Sequence, residues 1–314
     1  IKINPKFANA YKSLGNVYKK MKHRDKSLEF FDKAIHLEPN LDYLLGDFVN
    51  AKMHLCNWND IDSLITIIKK KAASNEKIIR SFYLLSLVDD PSLQRKVFEF
   101  NTIFKYPRSN LLPQIKNHPK HNKIRIGYFS ADFREHPVSY LTAELYETHD
   151  RSQFEVHAFS YGPNTEDEMN LRIKAGVDHF HDVREMSHKE IATLSRSLEI
   201  DIAVDLSGAT HSSKTEVFAI LAAPIQTSYI GWLGTMGADY YDYLIAAEGM
   251  IPKKNQKYFS EKIVYLPSYQ VNDSKEPLPK AIFSRKDLGL PKDSFVFCCF
   301  NNTFKITPEV FDSW

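Results

Sequence analysis

His136 stands shortly after the apolar run 124–130 and directly before Pro137. The run reads as a buried strand, and the stretch from 137 to about 146 reads as a helix. The histidine therefore lies on a strand-to-helix turn, where α/β folds display their chemistry. An imidazole titrates near neutrality, so it can accept or deliver a proton there. The residues alone fit a histidine that only supports its turn slightly better. Lys305 occupies a similar turn, after the apolar run 294–300 and before a helix start with Thr307 at the N-cap and Pro308 at the first position. A cation beside free backbone amides suits a phosphate group, with a solvated surface lysine as the plain alternative. The turn 230–235, Ile230-Gly231-Trp232-Leu233-Gly234-Thr235, carries glycines that permit close backbone approach.

Several chemistries have no sequence signature. There is no G-x-G-x-x-G after the run 124–130, no P-loop, no H-E-x-x-H, no Cys-x-x-Cys and no G-x-S-x-G elbow. Dinucleotide dehydrogenases, P-loop enzymes and motif-built zinc sites are thereby disfavoured. The 314 residues carry 41 Lys and Arg against 39 Asp and Glu, a net charge of +2. That balance fits a protein partner better than a polyanion. Three cysteines, two of them adjacent, form no disulfide framework and suit a reducing compartment. No apolar run reaches the ~20 residues of a membrane span. With no secretory signal pattern at the start, a cytoplasmic location is expected, nuclear as well in a eukaryote.

The elements that must position these residues come in two kinds. Pro5 and Pro39 stand one tetratricopeptide period apart, and Tyr11, Leu14, Gly15, Tyr18, Ser27, Phe31 and Ala34 fall at that repeat's signature positions. Leu14, Val17 and Tyr18 are expected to line one helix face, and Leu28, Phe31, Ala34 and Ile35 another. Helical periodicity continues over 41–72 as a capping segment. Residues 73–98 read as one or two helices broken at Asp89-Asp90-Pro91, and the proline-rich stretch 106–122 reads as a linker. From 123 onward strands and helices alternate. Strands are expected at 124–130, 154–160, around 179–180, 202–206, 225–230, 243–247, 263–266 and 294–300. Such alternation implies a doubly wound parallel sheet.

The ordered motifs are specific in combination. A tetratricopeptide unit leads into Ile126-Gly127-Tyr128-Phe129-Ser130-Ala131-Asp132-Phe133 and His136-Pro137. Later come Ala223-Pro224-Ile225-Gln226, the 229–235 turn, Asp242-Tyr243, and Cys299-Phe300-Asn301-Asn302 with Lys305-Ile306-Thr307-Pro308. Together they resemble the O-linked N-acetylglucosamine transferases and their SPINDLY-type relatives, over nearly the whole chain. The resemblance implies a tetratricopeptide superhelix followed by a GT-B glycosyltransferase of two Rossmann-like lobes. It implies inverting, metal-independent transfer of N-acetylglucosamine from UDP-GlcNAc to Ser or Thr hydroxyls of intracellular proteins, with no cofactor beyond the donor. His136 matches the family's catalytic histidine and Lys305 its diphosphate lysine. Asn302 matches a donor-contacting amide that is often Gln in relatives. His179 matches a histidine near the donor sugar. Ile230 and Gly231 belong to the sugar-side loop, with Trp232 and Thr235 on the acceptor side, where relatives usually carry Tyr-Pro in place of Trp232-Leu233. His211 is displaced from the family's Gly-His-Thr position after the fourth strand.

The expected organisation is a tetratricopeptide repeat at 1–40, a helical cap and linker at 41–122, an N-terminal Rossmann-like lobe at 123–283, and the start of a C-terminal lobe at 284–314. The chain is expected to be a fragment, preceded by further repeats, with its second lobe only begun and no turnover by itself. Protein or peptide acceptors are expected in the groove of the repeats, with no nucleic acid and no membrane as partner. Transfer of fucose from GDP-fucose, or of glucose, is the alternative within the same fold. A repeat-based interaction module on an inactive lobe is the alternative of another class.

Overall fold

The computed structural model describes residues 3–115, 121–210, 212–271, 273–275 and 283–314. They form two compact units, Ile1–Asp89 with Lys275–Trp314, and Asp90–Ser274.

The first unit is helical. α1 (Ala8–Lys20) and α2 (Arg24–Leu37) form the expected antiparallel pair. A Cβ on Gly15 would lie 2.6 Å from the Phe31 ring, so the missing side chain is what lets that ring seat against α1. Ser27 Oγ donates to the carbonyl of Gly15 at 2.9 Å, and Phe31 and Ala34 are fully buried. Val17, expected on the inner face, is half exposed. It lies two residues, or about 200°, around the helix from the buried Gly15. α3 (Leu44–His54), α4 (Ile61–Ala73) and the single turn α5 (Ser81–Leu84) continue the unit. The expected strand at 294–300 is not formed. Phe295, Phe297 and Phe300 are all exposed, and among the described residues no neighbouring strand pairs with the segment. A 3-10 turn at Thr303–Lys305 follows, and Thr307 caps a short helix that opens with Pro308. Thr303 Oγ1 donates to the His54 carbonyl, and the Phe304 ring lies 5.0 Å from the His54 ring.

The second unit opens with α6 (Pro91–Lys105), where Asp90 accepts from the N–H groups of Ser92 and Leu93 and Pro91 takes the first position. α6 was expected with the helical cap. It belongs here because its apolar face packs on the later loops of this unit: Phe98 lies 5.2 Å from Trp232, and Thr102 Oγ1 donates to the Met236 carbonyl at 2.7 Å. Among the described residues seven strands follow: β1 (Ile124–Ser130), β2 (Phe154–Ser160), β3 (His179–Asp182), β4 (Ile202–Asp205), β5 (Ile225–Ser228), β6 (Tyr243–Ala246) and β7 (Lys262–Tyr265). All pair in parallel in the order β3-β2-β1-β4-β5-β6-β7. Alternate residues feed two cores. Ile126, Tyr128, Val156 and Ala158 pack with Tyr146 and Ile173 on one face, while Phe129 and Phe159 pack with Ile191 and Phe218 on the other. Burial on both faces is what a doubly wound sheet requires. The helical stretch expected from 137 to 146 is two short helices, α7 (Pro137–Tyr140) and α8 (Ala143–Thr148).

Candidate functional site

The strand order reverses between β1 and β4, the first strands of the two halves of the parallel sheet, and a crevice opens beyond their carboxyl ends at such a switch point. The turn carrying His136 leaves β1 at this point, and the turn 206–210 leaves β4 beside it.

His136 is the N-cap of α7 and is one-third exposed. Its Nδ1 accepts from the N–H of Val138 at 3.3 Å and lies 3.7 Å from Oδ2 of Asp132. The two neighbours demand opposite tautomers. The Val138 contact needs a lone pair on Nδ1, which puts the proton on Nε2. A bond to Asp132 needs Nδ1–H, which frees the Nε2 lone pair to take a proton. The turn is held from behind. Asp167 accepts from the Glu135 N–H at 3.0 Å, and Asn170 Nδ2 donates to the Phe133 carbonyl at 2.6 Å. Asp167 and Asn170 lie at the start of α9 (Glu168–Gly176), where Asp167 is the N-cap. Asp132, four residues before the histidine, carries no signal of its own in the sequence beyond that spacing.

The turn after β4 hangs on Asp205. Its Oδ1 accepts from the N–H groups of Ser207 and Gly208 at 2.9 and 3.0 Å, and Tyr241 Oη donates to Oδ2 at 2.6 Å. Burial pushes its carboxyl up, against these hydrogen bonds. His211 lies outside the described residues.

The 230–235 turn leaves β5. Ile230 is buried with φ +56°, a conformation that a β-branched residue adopts only under strain. At Gly231 a Cβ would sit 1.8 Å from the Leu206 carbonyl oxygen, so no other residue fits against the β4 turn. Trp232 and Thr235, expected on the acceptor side, are both buried. The Trp232 ring packs over Gly208 and Phe98, and its Nε1 donates to the Thr235 carbonyl at 3.2 Å. Thr235 Oγ1 donates to Glu261 Oε2 at 2.8 Å and accepts from Gly237 N–H at 3.0 Å. An indole over glycines and a hydroxyl bonded to a buried carboxylate are consumed inside the turn. The side chain left exposed there is Leu233.

His179 opens β3, and its Nε2 lies 3.1 Å from Glu155 Oε1. His157 Nε2 approaches the same oxygen at 3.1 Å, and His157 Nδ1 approaches His181 Nε2 at 3.1 Å. Burial, helped by His179, pushes His157 down, and burial with His157 and His179 pushes His181 down to about 4. Asn302 and Lys305 belong to the helical unit. Both are exposed, and the N–H of Lys305 donates to the Asn302 carbonyl at 2.9 Å.

Known proteins agree with this architecture. Residues 8–41 match the tetratricopeptide repeat family, and residues 100–282 match glycosyl transferase family 41. The Arabidopsis thaliana protein named "Probable UDP-N-acetylglucosamine-peptide N-acetylglucosaminyltransferase SEC" is 39% identical over 206 residues, covering 64% of this chain and 21% of that protein. The Caenorhabditis elegans UDP-N-acetylglucosamine-peptide N-acetylglucosaminyltransferase is 32% identical over 146 residues, 46% of this chain and 13% of its own length. The chain thus spans about a fifth or less of these relatives. A Thermobaculum terrenum O-GlcNAc transferase structure superposes with a TM-score of 0.72 at 25% identity, over all of this chain and 60% of that one. Both the repeat and the parallel-sheet lobe are accounted for, and the match over 100–282 includes every strand of the sheet: the chain belongs to glycosyl transferase family 41.

Proposed function

We propose that this chain provides the acceptor-side lobe of a protein O-glycosyltransferase that moves N-acetylglucosamine from UDP-GlcNAc to Ser or Thr hydroxyls. The observation that carries this reading is His136, partly exposed on the β1 turn at the switch point of a family 41 lobe, with the Asp132 carboxylate 3.7 Å from its Nδ1. In the reaction the acceptor oxygen forms a bond to the anomeric carbon as the bond to the diphosphate oxygen breaks. The electron pair leaves with UDP, and the hydroxyl proton passes to a base. His136 Nε2 accepts it once Nδ1–H is held by Asp132. Inversion follows from attack opposite the leaving group.

Charge develops on the leaving diphosphate. Lys305 is the side chain assigned to it, and Asn302 to donor contact, both through resemblance and through their exposure. The metal-independent route rests on that lysine. The rigid Ile230–Gly231 backbone is assigned to the sugar side. The tetratricopeptide pair is assigned to protein acceptors.

The test is transfer by the full-length protein from UDP-GlcNAc to a Ser/Thr peptide, with GDP-fucose and UDP-glucose offered in parallel. Turnover with UDP-GlcNAc that His136→Ala lowers by ~10²-fold or more is expected. Unchanged transfer in that variant removes His136 from the chemistry. Failure to turn over any nucleotide sugar favours an interaction module on an inactive lobe. Lys305→Ala is expected to weaken UDP binding measured by calorimetry.

A further inference from the structure

The edge of the sheet gathers imidazoles around one carboxylate. Glu155 and His157 are two residues apart on β2 and share one face of the strand. His179 on the edge strand β3 is the register partner of His157. One ligand atom from each of Glu155, His157 and His179 lies within 4.8 Å of the others. Two of these separations are 3.1 Å, both to Glu155 Oε1.

We propose that Glu155, His157 and His179 form a binding site for a divalent transition-metal ion of the zinc type. Two imidazole nitrogens and one carboxylate oxygen are a donor set that suits zinc, and a fourth position remains for water on the open side. His157 has a buried side chain, while that of His179 is half exposed, so the site is anchored from within and reachable from solvent.

The surroundings match what a metal-bound imidazole needs. With Nε2 committed to the ion, His157 must carry its proton on Nδ1, and His181 Nε2 stands 3.1 Å away to accept it. Arg125 Nε lies 3.4 Å from Glu155 Oε2, the other carboxylate oxygen, which orients the carboxylate and leaves Oε1 for the ion. No spacing motif announces this set, because its members come from two strands joined by α9. The ligands lie in the first half of β2 and at the start of β3, away from the strand ends that carry His136. The bound ion therefore clamps the edge strand to β2.

The test uses the untagged 314-residue chain, stripped with a chelator and titrated with zinc by calorimetry and with cobalt by visible absorption. One equivalent of zinc per chain is expected, with ligand-field bands for cobalt and a melting temperature that rises with zinc. His179→Ala and Glu155→Gln are expected to abolish all three signals, and His181→Phe to weaken binding by roughly 10- to 100-fold. His36→Ala, on the exposed surface of α2, is expected to change nothing. Melting of each variant without metal shows that it is folded. Absence of stoichiometric binding to the wild-type chain overturns the proposal, as does binding that persists in both His179→Ala and Glu155→Gln. None of these readouts depends on glycosyl transfer, so they stand apart from the fate of the catalytic reading.

Discussion

Oδ2 of Asp132 lies 3.7 Å from Nδ1 of His136, just beyond hydrogen-bond distance and in competition with the Val138 N–H at 3.3 Å. A small rotation of the ring exchanges one partner for the other and moves the proton between its nitrogens. Asp132→Asn keeps the shape but removes the charge that favours Nδ1–H. Transfer by the full-length protein is expected to fall by ~10-fold or more, through kcat and with KM for the donor little changed. A pH–rate profile identical to wild type would show that Asp132 has no part in setting the tautomer.

Gly231 separates the β4 and β5 turns by the width of a hydrogen. Gly231→Ala places a methyl 1.8 Å from the Leu206 carbonyl, where both atoms belong to rigid turns. A loss of ~1–3 kcal/mol in stability is expected from such overpacking, read as a lower urea midpoint with an unchanged slope.

Trp232 distinguishes a buried support from an acceptor contact. Trp232→Ala is expected to cost ~3–5 kcal/mol, because it empties the space over Gly208 and beside Phe98. Trp232→Phe keeps most of the packing and loses the bond from Nε1 to the Thr235 carbonyl, at ~1 kcal/mol. A Trp232→Ala variant with wild-type melting and altered peptide affinity would return the indole to the acceptor side.

Asp205 gives stability a pH dependence of defined sign. Burial raises its folded pKa above the ordinary 3.8. The folded state then holds the proton more tightly than the unfolded chain does. The stability so contributed is full below 3.8 and is lost as pH climbs through the folded value. Asp205→Asn cannot ionise, so its urea midpoint is expected to vary less than that of wild type from about pH 4 upward. Parallel pH profiles for the two proteins would remove Asp205 as the source.

Much of the architecture was legible because it is written in local periods. The 3.6-residue pattern around Gly15 and Phe31 marked the repeat, and the apolar runs marked all seven strands of the sheet to within a few residues. The run 294–300 has the same composition as those strands and forms none, since a strand exists only by pairing and the described residues offer it no partner. Likewise Val17 looks apolar enough to be interior, yet its angular position on α1 leaves it half exposed.

By itself the sequence determined the kinds of element, their order, and the histidine on the first turn of the sheet. All of these depend on residues near one another along the chain. Tertiary structure decided the strand order that sets the crevice between β1 and β4, the burial of Trp232 and Thr235, and the inclusion of α6 in the α/β unit. It also decided that His179 meets Glu155 and His157. These are contacts across long sequence separations. They are fixed by register and by which face of each element is covered, and neither residue type nor spacing encodes them locally.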